Sequence, residues 1–199
     1  PLVDAPALAS AVDARFVTIL SKGTGTAINP EVTVAGEDES GALTVQFENL
    51  NYSAERLPKV WPSRFAPKGP LDPAAYAHSP QKLANAVYGG RMGNTGPDDG
   101  WTYRGRGLLQ PTGRDAYAAA TAFLRKPYPE APDFAALPDA VISAEWCLKV
   151  AAVEWFVKGC NALADKDNVV GVTRAINGGT IGLAERREWL KRTRFVWLG

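Results

Sequence analysis

Along residues 6–20, PALASAVDARFVTIL, apolar side chains fall at Leu8, Val12, Phe16, Ile19 and Leu20. That spacing puts them on one face of an α-helix. SKGTGT breaks the pattern, and Asn29-Pro30-Glu31 offers a second helix start, with a cap, a proline in the first turn and an acid near the dipole. The following VTVAGEDE has low helix propensity, with three β-branched residues and a glycine. From Ala42 to Glu48 the pattern becomes strict alternation: Leu43, Val45 and Phe47 on one face, Thr44, Gln46 and Glu48 on the other. This predicts a half-buried strand within a small hairpin over residues 42–52, with Glu48 turned to the wet face. Helical spacing returns at Ser53–Trp61 and at Gln81–Tyr88, the latter stopped by Gly89-Gly90. Residues 89–113 are glycine-rich and long for a loop in a compact domain, which marks them as functional; their aromatics and arginines argue against plain disorder. Further helices are predicted at Arg114–Leu124, from a Ser143 cap to about Lys158, at Asn168–Ile176 and at Leu183 to about Trp197, with a Pro-rich connector at 127–138. The segment after Ser143 carries Trp146, Val150, Val153, Trp155 and Phe156 nearly all round, so it is expected to be a buried central helix. The sum is a mainly α chain with one small hairpin.

Composition narrows the chemistry. The chain has 199 residues, enough for a single domain, and 46% hydrophobic residues supply a core without staples. A net charge of +1 gives no argument for nucleic acid. The segment from Thr180 holds Arg186, Arg187, Lys191, Arg192 and Arg194 against Glu185 and Glu188, a solvated helix face or a contact for an anionic polymer. No stretch matches a membrane span, and no signal-peptide pattern opens the sequence. Cys147 and Cys160, thirteen residues apart on a helix and its end, are expected roughly 20 Å apart and therefore free. A single histidine, His78, is expected in a loop or on the surface. It leaves no ligand set for zinc, and neither a G-x-S-x-G elbow nor a Walker loop is present. No metal or cofactor is expected, and the chemistry falls to carboxylates.

Glu39 and Glu48 stand nine positions apart around the predicted strand. Two carboxylates in different environments can divide acid and base work, as in glycoside hydrolysis. From spacing alone the reading as ordinary surface acids is the better one, because 21 acids offer many such pairs. Their surroundings add more: ESG at 39–41, ENLNYSAERL at 48–57, VYGGRMGN at 87–94, DGWTYRGRGLLQPTGRDAY at 99–117 and INGG at 176–179, in that order. This series resembles glycoside hydrolase family 19, in particular its lysozyme-like branch of phage and bacterial endolysins. The resemblance covers residues 39–199 and is weak before them.

The resemblance implies a lysozyme-like, mostly α fold in a single catalytic domain of two lobes, 1–199, with a substrate cleft. It also implies hydrolysis of a β-1,4 bond in peptidoglycan or chitin with inversion. Carried over by position, Glu39 matches the general acid and Glu48 the general base. Gln110 and Thr112 match cleft-lining residues, Asn177 matches a sugar-contacting asparagine, and Arg186 or Arg187 matches an arginine that supports the acid. Two departures stand out. Asp38 occupies the place of a histidine, crowding three acids at Glu37, Asp38 and Glu39, and Pro111 stands where an apolar residue is common. Like charges raise a carboxyl pKa, which suits an acid that must stay protonated.

Other residues keep two readings. Tyr52, Tyr88, Trp101 and Tyr103 either stack on sugar or pack internally. Arg104 and Arg106 either hold acetamido or lactyl groups or pin the long loop, with Asp98 or Asp99 as partners. Asn49 and Asn51 either bind substrate or shape a turn. Trp146 and Trp155 are read as core. The endolysin reading carries further expectations: a monomer that accumulates in the host bacterial cytoplasm and reaches the wall glycan through a lesion made by a holin. Its competitors are a chitinase of the same family, a non-catalytic wall-binding module, and a secreted antibacterial effector with the same chemistry.

Overall fold

The computed structural model describes residues 47–198, and these are mainly α-helical. Glu39, the expected helix at 6–20, the helix start at Asn29 and strand residues 42–46 lie outside the described residues. Phe47–Arg106 with Gln110–Val141 form one compact unit, and Gly107–Leu109 with the chain from Ile142 onward belong to another.

The first unit begins with an irregular stretch and a single helical turn, α1 (Leu57–Val60), shorter than the Ser53–Trp61 helix expected. Pro58 sits in its first turn, where a proline is tolerated, and Pro62 follows just past its end, where a longer helix would need an amide that proline lacks. A 3-10 turn at Pro73–Ala75, capped by the Asp72 carboxylate on the Ala74 amide, leads to α2 (Pro80–Tyr88). Its Leu83, Ala84 and Val87 form the buried face, packed with Leu50, Tyr52, Leu57 and Phe65. Inside the glycine-rich segment lies one more turn of helix, α3 (Asp99–Thr102), which packs on α2. The approach is close: a Cβ on Gly100 would sit 2.5 Å from the Ala84 carbonyl oxygen. The Arg114–Leu124 helix, α4, forms over the expected residues. Five alanines favour it locally, and Tyr117, Ala120, Thr121 and Leu124 supply the i, i+3, i+4, i+7 stripe that it buries.

The expected hairpin is not what surrounds Glu48. Phe47 forms an isolated antiparallel bridge with Arg106, and residues 49–52 are not a strand. Asn49 and Asn51 follow their turn reading, since the Asn49 side chain accepts the Asn51 amide at 2.9 Å and the Asn51 side chain meets His78 Nδ1 at 2.9 Å.

The second unit holds α5 (Cys147–Val157), α6 (Cys160–Ala164), α7 (Val169–Asn177) and α8 (Leu183–Leu198), each packed on the next. Asn168 caps α7 by accepting the Gly171 amide at 2.8 Å, and Gly178 ends it at φ 72°, a left-handed conformation cheap only for glycine. Leu108, Leu109, Cys147, Ala151, Cys160, Val172 and Ile176 make the core of this unit.

Two expectations are corrected here. The segment after Ser143 is not a helix buried all round. It starts at Cys147, buries Cys147, Val150 and Ala151, and leaves Phe156 and Val157 more than half exposed. Its end at Val157, with Lys158 as cap, is close to the one expected, and Gly159 then turns the chain at φ 67° before Cys160. The ruler along one continuous helix therefore does not apply to the cysteines, which share one core; both are nevertheless free and buried. Trp146 is buried in this unit, while Trp155 is partly buried and donates Nε1–H to Asn161 at 2.8 Å.

Candidate active site

Glu48 is held from three directions within the first unit. Its backbone N–H donates to the Gly105 carbonyl at 2.9 Å, extending the Phe47–Arg106 bridge. The Gly105 N–H returns a bond to Glu48 Oε2 at 3.3 Å, and the Tyr88 hydroxyl, from the last residue of α2, donates to Oε1 at 2.5 Å. Each carboxylate oxygen thus has its own donor.

The Glu48 carboxylate is not on a wet face: the residue is only 9% exposed. Alternation assigned its side relative to Phe47, but the neighbours that cover it come from Gly105 and Tyr88, far away in sequence. Burial raises its pKa above the ordinary carboxylate value. The Tyr88 hydroxyl, the Gly105 amide and the charge of Arg104 offset part of that rise. Burial and the adjacent Glu48 charge push the Tyr88 phenol well above its usual value, so it remains a donor across the physiological range.

Arg104 brings positive charge to this place and forms no ion pair with a carboxylate among the described residues. Its guanidinium lies over the Trp101 ring at 3.7 Å and the Phe47 ring at 4.6 Å, and Nη1 donates to the Trp101 carbonyl at 2.8 Å. Arg104 Nε is buried with no hydrogen-bond partner among the described residues. Arg106 has the pinning role, but with a different partner from the expected Asp98 or Asp99. Its Nε donates to Asp139 at 2.9 Å, and Nη1 donates to the Thr102 carbonyl at 2.5 Å and the Tyr117 hydroxyl at 2.9 Å. Asp98 instead accepts from Asn85 and Gln81, and Asp99 receives the Thr95 and Gly96 amides.

Gln110 stands beside the same carboxylate. Its backbone is left-handed at φ 53°, an uncommon state for a residue with a side chain and one that precedes Pro111. A Cβ placed on Gly105 would lie 2.6 Å from Gln110 Oε1 and 3.3 Å from Glu48 Oε2, so the three residues meet at this point. The Thr112 hydroxyl donates to the Gln110 carbonyl at 2.9 Å and keeps its lone pairs available. The Gly113 amide, bonded to the Tyr103 carbonyl at 2.8 Å, closes the turn.

The structure thus brings together Glu48, Tyr88 and Gln110 of the residues singled out in sequence, with Thr112 bonded to the Gln110 carbonyl. Tyr52 does not join them as a sugar platform. It is 1% exposed, in the core, and edge-to-face with Trp61. Tyr103 is buried too, its hydroxyl bonded to the Ala135 carbonyl at 2.9 Å. Asn177, Arg186 and Arg187 belong to the second unit. Asn177 ends α7, donates Nδ2–H to the Ile181 carbonyl at 3.2 Å, and has a buried Oδ1 without a partner among the described residues. Of the two arginines, Arg186 is half-buried, with its pKa lowered by burial, and Arg187 is exposed. Sequence reasoning missed Gly105 as a ligand of the Glu48 carboxylate and Tyr88 as its second donor; no spacing rule links positions 40 or 57 residues apart.

No protein-family model matches the chain. A "Glycosyl hydrolase family 19 domain-containing protein" from Haemophilus influenzae is 40% identical over 150 residues, covering 74% of this chain and 69% of that protein. With that identity over that length, the chain belongs to glycoside hydrolase family 19.

Proposed function

We propose that this glycoside hydrolase is a lysozyme-like enzyme of the endolysin type, cleaving the β-1,4 bond of peptidoglycan by a single inverting displacement. The observation that carries the reading is the buried Glu48 carboxylate, held by a separate donor on each oxygen beside Gln110, whose carbonyl accepts the Thr112 hydroxyl. Glu48 is the general base. Burial raises its basicity and its two donors fix its direction, both useful for taking a proton from water. Thr112 and Gln110 orient that water. Glu39, assigned by its place in the ESG motif, is the general acid that protonates the leaving oxygen. The bond to the anomeric carbon breaks as water attacks from the opposite ring face, through an oxocarbenium-like transition state. For inversion the two carboxyls stand roughly 6.5–9.5 Å apart, with the water between them. Asn177 contacts the sugar, and Arg186 rather than the exposed Arg187 supports the acid.

In this reading the enzyme is a monomer that stays in the host bacterial cytoplasm until a holin opens the membrane. Turbidity loss of purified Gram-negative peptidoglycan tests the proposal. Wild type clears the suspension, while Glu39→Gln and Glu48→Gln remain folded and do not. Turnover of chitin oligomers in preference to peptidoglycan would move the substrate to chitin. Sedimentation with walls and no new reducing ends would make the chain a binding module. NMR of the first-formed product anomer distinguishes inversion from retention.

A further inference from the structure

Of the motif VYGGRMGN, the proposed reaction uses only the Tyr88 hydroxyl; the rest of it has a place in the fold of its own. Tyr88 is the last residue of α2, and its phenol reaches Glu48 Oε1 at 2.5 Å. Immediately after it the chain makes a tight loop closed on Asn94: the Gly90 amide donates to the Asn94 carbonyl at 2.9 Å, and the Asn94 amide donates to the Arg91 carbonyl at 2.9 Å. Asn94 is 1% exposed, and both ends of its amide are used. Nδ2–H donates to the Tyr88 carbonyl at 3.0 Å, and Oδ1 accepts the Arg114 amide at 2.9 Å. The Asp115 amide adds a bond to the Met92 carbonyl at 3.1 Å. The loop therefore ties the residue that holds Glu48 to the first turn of α4, which directly follows Gln110 and Thr112.

We infer that Tyr88 is a positioning residue for the base, and that the loop ending in buried Asn94 is the brace that sets its hydroxyl against Glu48. This deepens the proposed function, since it rests on Glu48 acting as base there. Among the described residues, three titratable groups act on the pair. Arg104 acts on Glu48 from the segment after α3, and Arg91 acts on the phenol from the loop; Tyr52 is the other titratable neighbour of Tyr88. Among the described residues, neither arginine hydrogen-bonds Oε1 and the phenol does, helping to hold this oxygen in its charged form. Removing the hydroxyl leaves a buried carboxylate with one donor fewer and favours its protonation.

Tyr88→Phe tests this, because it keeps the ring and deletes only the donor. The acid limb of its kcat/KM profile moves to higher pH, and on the acidic side of that limb the rate falls about tenfold or more, the equivalent of a charge-assisted hydrogen bond. KM changes little. A ring that merely stacks on sugar gives the opposite result: Phe is tolerated, the pH profile stays in place, and only Tyr88→Ala suffers, through KM. The second measurement needs no activity. The Glu48 carboxyl is titrated by NMR in protein labelled at the glutamate carboxyl carbon, its signal assigned by its loss in Glu48→Gln. A titration at higher pH in Tyr88→Phe than in wild type supports the inference, and an unchanged one overturns it. If wild type hydrolyses no glycan, the proposed function fails while this titration still decides the Tyr88–Glu48 relation.

Discussion

Gly105→Ala separates the geometry of the site from the stability of the fold. Gly105 is not in the left-handed region, so alanine fits its backbone, and replacing glycine at a compatible position tends to gain about 0.4–1 kcal/mol through the unfolded chain. The cost is local. The new Cβ would lie 2.6 Å from Gln110 Oε1 and 3.3 Å from both Glu48 Cβ and Glu48 Oε2. Relief to an ordinary contact of 3.4 Å requires the Gln110 amide to withdraw by about 0.8 Å and Glu48 to give by about 0.1 Å. Gln110 Oε1 is the end of a flexible side chain, so the movement is cheap for folding and the melting temperature should change little. It is not cheap for chemistry, because a misplacement of about 1 Å at a reacting centre costs on the order of a hundredfold in rate. The expected result is a folded variant with near-normal stability and kcat lowered about ten- to a hundredfold.

Gly100→Ala is the control. Its Cβ would meet α2 backbone, the Ala84 carbonyl oxygen at 2.5 Å and Asn85 Cα at 2.7 Å, and backbone cannot swing aside. Here the loss should be in stability, about 1–3 kcal/mol as for other overpacked positions. Thermal unfolding by circular dichroism and initial rates of reducing-end release measure both effects on the same samples. Full activity in Gly105→Ala would refute the reasoning, since the meeting of Gln110 and Glu48 at Gly105 would then not be what the reaction uses.

Glu48→Gln should abolish turnover yet raise the melting temperature at neutral pH. The folded-state pKa of Glu48 is above its unfolded value, so its contribution to stability is greatest below the ordinary carboxylate range and declines as pH rises through the raised value; thermal scans should show the variant's advantage at pH 7 shrinking towards pH 4. Arg106→Met should destabilise the first unit by about 3 kcal/mol in urea unfolding, because it strips donors from the Thr102 carbonyl and the Tyr117 hydroxyl at a residue only 4% exposed. Burial pushes the Cys147 thiol up to about 11 and raises that of Cys160 as well, so neither should react with a disulfide reagent at pH 8 until the protein is unfolded.

The helices were legible wherever sequence supplied both a stripe and its ends. Arg114–Leu124 has alanine-rich propensity and a buried face at helical spacing, and α7 has Asn168 before it and Gly178 after it. The mainly α architecture followed from these. Where the pattern spoke of only one of the two, the reading slipped. The residues after Ser143 are apolar all round, which hides where a helix starts and which side is covered, and Gly159 ends the segment through its backbone alone. Tyr52 and Tyr88 were indistinguishable as candidate sugar platforms. One lies in the core, and the other, tied at its carbonyl to Asn94 in the loop just after it, donates to Glu48 forty residues back along the chain.

The RGRG run shows why the motif was easier to recognise than to explain. Each of its four residues meets a different demand. Arg104 spreads over Trp101 and Phe47 and lends charge to Glu48; Gly105 leaves open the space that a Cβ would take from Gln110 and the carboxylate bonded to its amide. Arg106 is buried and satisfies the Thr102 carbonyl and the Tyr117 hydroxyl while reaching Asp139; Gly107 adopts φ 74°, which a side chain resists. Three of these demands are made by residues outside the run, so no periodicity within it could announce them. Those outside residues, Glu48, Gln110 and Tyr117, are drawn together by the Phe47–Arg106 bridge, the left-handed turn at Gln110 and the first turns of α4. A change at any of the four positions should therefore be felt first at a different place: at the charge around Glu48 for Arg104, at Gln110 for Gly105, in global stability for Arg106, and in the turn into Leu108 for Gly107.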